Sequence, residues 1–193
     1  YEASSHALDL RKTDAVRPSI AIFTGMDCEH LDYHGTMEAY FAAKSRLFKL
    51  LSPHGIRTGI CNADDPYAER LMAAHPDVFF RTCTANAERI AECDVTGLYC
   101  TCSTAGTSFL YYADDAIFRM RLPIPGRYTM YNAMEAATAA RILGVHPMEI
   151  RESLNAMEPI PGRMERVPLG NALYTAYIDY AHTPRAMEAV LST

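Results

Sequence analysis

The strongest constraint on this 193-residue chain is an alternation in its first half, where short apolar runs are each followed by a stretch with helical spacing. Ser19-Ile20-Ala21-Ile22-Phe23-Thr24 is nearly continuous and apolar, which suits a strand buried on both faces. Met37 to Leu51 carries apolar residues at helical spacing behind Thr36, a good N-cap, with Glu38 in the first turn. After Ser52-Pro53-His54-Gly55, Arg57 to Cys61 reads as the next strand. Asn62-Ala63-Asp64-Asp65-Pro66 then forms a turn into a helix from about Tyr67 to Ala74. A strand near Val78 to Arg81 and a helix near Asn86 to Glu92 follow. Strands alternating with helices predict an α/β fold with a parallel sheet.

The alternation then breaks. Val95 to Leu98, Ser108 to Tyr112 and Ala116 to Leu122 read as three short strands joined by turns, a meander rather than a crossover. An alanine-rich helix is expected from Tyr131 to about Leu143, capped by Gly144, and a further one from Pro147 to near Met157. Asn132, near that first helix's start, reads as a capping or first-turn residue. Glu158-Pro159-Ile160-Pro161-Gly162-Arg163-Met164-Glu165-Arg166 is rich in proline and charge, as a hinge would be. A strand from Tyr174 to Ile178 and a helix from Arg185 to about Leu191 open a second α/β unit. The expected division is therefore 1–160 and 161–193.

Composition narrows the function classes. A net charge of −5 without a basic stripe argues against nucleic acid as the main partner. No run approaches the roughly 20 apolar residues needed to span a bilayer, and no signal-peptide pattern opens the chain, so a cytoplasmic protein is expected. The six cysteines lack paired C-x-x-C spacing and read as reduced thiols, Cys100 and Cys102 alternating as strand residues do. Tyr1 in place of a start methionine, and an end at Thr193 before any closing element, suggest a segment of a longer chain.

One residue is out of place. At 100° per residue, Met37, Tyr40, Phe41, Leu47, Phe48 and Leu51 form a single stripe, and Lys44 falls in its middle. Either its stem lies on the stripe while its amine snorkels to the edge, or desolvation keeps the amine neutral and nucleophilic. Just before this helix His30, Asp32 and His34 alternate, and an extended segment would put them on one side, where they could meet a divalent cation.

The stretch from Glu29, Glu-His-Leu-Asp-Tyr-His-Gly-Thr and the helix after it, resembles the Mur ligase family, most closely its UDP-N-acetylmuramoyl-tripeptide synthetase (MurE) type. Further motifs resemble it in the correct order: Glu2-Ala3-Ser4-Ser5-His6-Ala7-Leu8, Asn62 to Pro66, Tyr131-Asn132-Ala133, Gly162-Arg163-Met164-Glu165 and Asp179-Tyr180-Ala181-His182-Thr183-Pro184. The resemblance implies a P-loop-NTPase-like parallel sheet flanked by helices with a small antiparallel sheet beside it, followed by the start of a Rossmann-like C-terminal domain. It implies that Lys44 is carbamylated by carbon dioxide and helps position Mg2+, with His30 and Glu2 as metal ligands. It further implies that Ser4, and more weakly Lys12, touch the UDP-sugar substrate. ATP contacts are implied for Asn132 at adenine, Arg163 at the phosphates, Asp179 at the ribose and His182 in the nucleotide region.

No glycine in the chain is followed by lysine, so the G-x-x-x-x-G-K-[ST] phosphate loop is absent from it. The family carries that loop upstream of the residue matching Glu2. The implied reaction is ATP-dependent amide-bond formation in peptidoglycan synthesis, adding meso-diaminopimelate or L-lysine to UDP-MurNAc-L-Ala-D-Glu through an acyl phosphate, by a monomer that becomes active only within a longer chain. A related Mur or folylpolyglutamate-type ligase is the nearest alternative. A binding module that keeps the fold without the phosphate loop is another, and a metal-dependent hydrolase built on His30, Asp32 and His34 a third.

Overall fold

The computed structural model describes residues 1–171 and 173–193. Helix α1 (Ser5–Asp9) is followed by β1 (Ile20–Phe23), the short α2 (Leu31–His34), α3 (Met37–Lys49), β2 (Thr58–Asn62), α4 (Ala68–Ala74) and β3 (Phe79–Thr84). The expected helix near Asn86 shrinks to a single 3-10 turn, Ala87–Arg89. Strands β4 (Val95–Ser103), β5 (Gly106–Ala113) and β6 (Ala116–Leu122) lead to α5 (Arg127–Ile142) and α6 (Pro147–Asn155). β7 (Glu165–Val167), β8 (Ala176–Ile178) and α7 (Pro184–Leu191) close the chain.

All six strands from β1 to β6 lie in one sheet in sequence order. β1 to β4 pair in parallel, and β4 to β6 antiparallel. The antiparallel part is thus continuous with the parallel part through β4, whose long run serves both, instead of standing beside it. β7 and β8 form a separate two-stranded sheet.

Alternation along β2 explains the layering. Every residue of β2 is buried, as a strand covered on both faces must be. Ile60 faces a core with Val95, Phe109, Met120, Met130 and Met134, under α5 and α6. Cys61 faces the opposite core, with Phe23, Phe41, Phe48 and Leu71 under α3 and α4. Close approach of α5 needs Gly97, since a Cβ there would lie 2.6 Å from Met130 Sδ.

Helix α3 begins where its cap requires. Thr36 Oγ1 accepts from the Ala39 amide at 3.1 Å, Glu38 lies in the first turn, and Arg46 and Lys49 lie in the last. Thr36→Ala is expected to cost about 1 kcal/mol, lowering Tm by roughly 2–4 °C in thermal unfolding followed by circular dichroism. Ser45, on the same helix, is buried and shares a 2.7 Å hydrogen bond with the buried His75. Periodicity alone gave no sign of that pair, because a serine in a helix reads as neutral.

Two expectations are corrected. His30, Asp32 and His34 are not an extended segment: the His34 amide donates to the His30 carbonyl at 2.9 Å, closing a helical turn in which the rings of His30 and His34 both approach those of His6 and Tyr40. Asn132 is not a cap or first-turn residue, because α5 starts at Arg127 behind Gly126 and places Asn132 exposed in the second turn. No helix among the described residues is long and apolar enough to cross a membrane.

Candidate functional site

Lys44 sits half-buried on α3, one turn after Tyr40, with Nζ 5.2 Å from the centroid of the Tyr40 ring. Desolvation lowers its pKa, while the charges of Glu29, Asp65 and Glu2 pull it back up. These carboxylates come from three separate stretches: Glu2 before α1, Glu29 in the loop after β1, and Asp65 in the turn after β2. Tyr40 is buried, and burial, reinforced by Glu29 and Asp27, pushes its hydroxyl up to about 12.

The loop after β1 is built around a tight approach. Gly25 has φ +132°, and a Cβ on it would lie 2.7 Å from Asp65 Oδ2, so glycine is required there. The Met26 amide donates to that oxygen at 3.0 Å, and the Tyr67 amide donates to Asp65 Oδ1 at 2.9 Å. Asp65 is 4% exposed, and its two hydrogen bonds satisfy a carboxylate that burial would otherwise penalise. His30 follows at φ 59° as the N-cap residue of α2, with Nε2 3.6 Å from Glu29 Oε1. Its ring meets the ring of His6 edge-on at 4.8 Å. His34 Nε2 lies 3.0 Å from Ser5 Oγ and Tyr33 donates to Asp9 at 2.9 Å, so α1 and α2 are joined by polar contacts.

The segment after β8 reaches the same loop. His182 Nε2 lies 2.8 Å from Glu29 Oε1, and its Nδ1 lies 2.7 Å from the Tyr180 carbonyl. Those two contacts raise the His182 pKa, the carbonyl contributing more than the carboxylate. His30 and His182 therefore contact Glu29, and Lys44 lies within reach of the charges of Glu29 and Glu2.

The other expected residues lie further out. Ser4 caps α1, its Oγ accepting from the Ala7 amide at 3.2 Å, and Lys12 is exposed in the turn that follows that helix. Arg163 is exposed over the Tyr180 ring at 5.1 Å. Asp179 accepts from the Met164 amide at 2.8 Å and the Ala181 amide at 2.7 Å, leaving one lone pair on each oxygen for a ligand hydroxyl.

A cavity of about 770 Å3 opens at the C-terminal ends of β2 and β3, where α/β sheets place their ligands. Asp64, Arg89, Arg127 and Tyr131 line it, together with Asp65, which belongs to the Lys44 cluster as well. Burial pushes the Asp64 carboxyl up, but hydrogen bonds from Thr84, the Ala85 amide and Tyr131, with the Arg89 charge, leave it below its ordinary value. From the sequence, Asp64 and Asp65 read as turn residues inside the Asn62 to Pro66 motif, with no site role of their own. Their partners Thr84, Ala85 and Met26 are 20 or more positions away, beyond the reach of local turn signals.

The donor set around Glu29 suits a hard divalent cation only in part. Among the described residues no three His, Cys, Asp or Glu side chains gather as a metal site. Glu2 and His30 are the two candidate donors that the sequence motifs supply, and a carbamate on Lys44 would add a second oxygen anion to that of Glu2.

The family model of the Mur ligase middle domain matches residues 1–140. A UDP-N-acetylmuramoyl-L-alanyl-D-glutamate--2,6-diaminopimelate ligase of Xanthomonas campestris pv. campestris is 35% identical over 192 residues, covering 100% of this chain and 38% of that protein. The protein of the same name from Chlorobaculum tepidum is 38% identical over 196 residues, covering 98% and 38%. Among solved structures, one of a ligase of this name superposes with a TM-score of 0.79 at 28% identity, covering 100% of this chain and 38% of that one. The chain thus spans well under half the length of these relatives.

Proposed function

Because this chain belongs to the Mur ligase family, we propose that it is part of an ATP-dependent ligase that joins 2,6-diaminopimelate to UDP-MurNAc-L-Ala-D-Glu, with residues 1–160 as the central domain and 161–193 as the start of the C-terminal one. ATP phosphorylates the substrate carboxylate, and the amine of the incoming amino acid attacks the acyl phosphate and displaces phosphate. The observation that carries this reading is the desolvated Lys44 facing carboxylates from three stretches of the chain. Only a neutral amine attacks carbon dioxide, and a half-buried helix face lowers the cost of holding one.

The roles follow from placement. Carbamylated Lys44, Glu2 and His30 would hold Mg2+, which when bound neutralises charge on the transferring phosphoryl group. Asp65 fixes the loop that carries His30. Ser4 at the start of α1 and Lys12 beyond its end contact the UDP-sugar. Arg163 is free in the open to reach phosphate, Asp179 has lone pairs for a ribose, and exposed Asn132 has a free amide for adenine. His182, carrying positive charge more readily than an ordinary histidine, suits a polyanionic nucleotide. The enzyme acts in the cytoplasm as a monomer.

The test is phosphate release by the full-length protein given ATP, Mg2+, UDP-MurNAc-L-Ala-D-Glu and one amino acid at a time. Release is expected with 2,6-diaminopimelate. Turnover only with another acceptor would move the chain to a different ligase branch, and none with any acceptor would leave a binding module.

A further inference from the structure

The loop after β1 is held from two directions by groups that the ligation chemistry does not use. On one side the Met26 amide donates to Asp65, and on the other the Met26 carbonyl accepts from the Arg185 guanidinium at 3.0 Å, across 159 positions of sequence. One residue later, Asp27 Oδ2 accepts from the Thr183 hydroxyl at 2.7 Å, across 156 positions, while Oδ1 accepts from the Cys28 amide at 2.8 Å. Thr183 is 9% exposed, and the same hydroxyl accepts from the Ala186 amide at 3.1 Å as the N-cap of α7. Its donor and acceptor capacities are therefore used together: the start of α7 cannot shift relative to Asp27 without giving up one of them. Charge-assisted bonds of this kind are the stronger class of hydrogen bond. His30 is three residues past Asp27, so whatever displaces Asp27 displaces the loop that ends in His30.

We propose that Asp27, Thr183 and Arg185 form a latch by which docking of the 179–185 segment sets the position of the 26–30 loop, so that they are positioning residues for ligation. This rests on the ligase reading above. The ordinary alternative is that these contacts are glue between two units, worth stability but nothing in turnover. The two differ in what they do to kcat: a misplacement of the reacting groups by about an ångström can cost up to a hundredfold in rate, without loss of substrate binding. His182 is left out of the test because it belongs to the proposed nucleotide site.

In the full-length protein, Asp27→Ala and Thr183→Val are each expected to lower kcat about tenfold while leaving KM for the UDP-substrate within about twofold. Thr183→Ser, which keeps the hydroxyl for both the latch and the cap, is expected to stay within about twofold of the wild type. The double variant Asp27→Ala/Thr183→Val should lose clearly less than the two single losses combined, because the bond they share can be broken only once. Hydrogen exchange at the Met26 to Glu29 amides should quicken in Asp27→Ala. Unchanged exchange with wild-type kcat in Asp27→Ala would overturn the latch, as would losses that add in the double variant. Should the wild-type protein show no acceptor-dependent phosphate release, the ligase reading fails, and the exchange comparison still decides whether the 179–185 segment holds the loop.

Discussion

Lys44→Ala in the full-length protein is expected to reduce ligation by about 10²–10³-fold, the scale seen when one preorganised group is removed from developing charge, with partial recovery on adding short carboxylic acids. Lys44→Arg should be equally poor, because a guanidinium keeps the positive charge but cannot react with carbon dioxide. Two opposing influences act on the amine. Burial disfavours the ammonium, and Glu29, Asp65 and Glu2 favour it, with burial the stronger. A carbamate would reverse the sign of the charge at this position and place an anion among carboxylates, which is tolerable only with a cation between them. Activity should therefore fall when dissolved carbon dioxide is stripped and return when bicarbonate is added. If instead the lysine stem lies on the apolar stripe and its amine only reaches for solvent, Lys44→Ala will alter stability slightly and leave turnover near wild type. Steady-state phosphate release with and without formate or acetate separates the two.

The second large effect concerns stability. Glu135, on α5, is 2% exposed, and neither of its carboxyl oxygens has a hydrogen-bond partner among the described residues. Burial pushes its pKa from 4.5 up to about 8. Its influence on the thiols of Cys61 and Cys83, which burial itself raises most, places it over β2 and β3 in the interior. A carboxyl whose folded pKa lies above its unfolded one binds a proton in the folded state that the unfolded chain has released. Stability is therefore fully present below about pH 4.5 and is lost as pH rises through about 8, by an amount of order 5 kcal/mol. Glu135→Met, of similar length and helix-compatible, is expected to change little near pH 5 and to stabilise the fold by several kcal/mol above pH 8. Urea midpoints measured from pH 5 to 9 on both proteins test this. Parallel profiles would mean that the Glu135 side chain finds water or a partner.

Much of the architecture was legible because its signals are local. Thr36 marked the start of α3, and the turn residues between β4, β5 and β6 separated the meander from the parallel part. α5 was placed four residues late because Tyr128, Thr129 and Tyr131 are weak helix formers, and the packing of Met130 and Met134 against the sheet overrode that preference. The alternation of His30, Asp32 and His34 misled for another reason: a spacing of two carries no information about extension when it spans only one turn. Lys44 stood out because a cation on an apolar stripe is a conflict within the sequence itself. Asp65 and Glu135 raised no such conflict, since an aspartate in a turn and a glutamate in a helix both read as ordinary surface residues. What makes them unusual is burial by elements far away in the chain.

The strictly sequential order of the sheet also bears on how the chain reaches this state. No strand has to wait for a later one to be inserted between it and its predecessor, so each pairing closes a loop of modest length. The meander from β4 to β6, closed by two tight turns, demands the least ordering before it gains contacts. β1, β2 and β3 each need a longer excursion first. A route that begins at the meander and zips toward β1 meets the smallest entropic barrier at every step, and it completes the loop that carries His30 last.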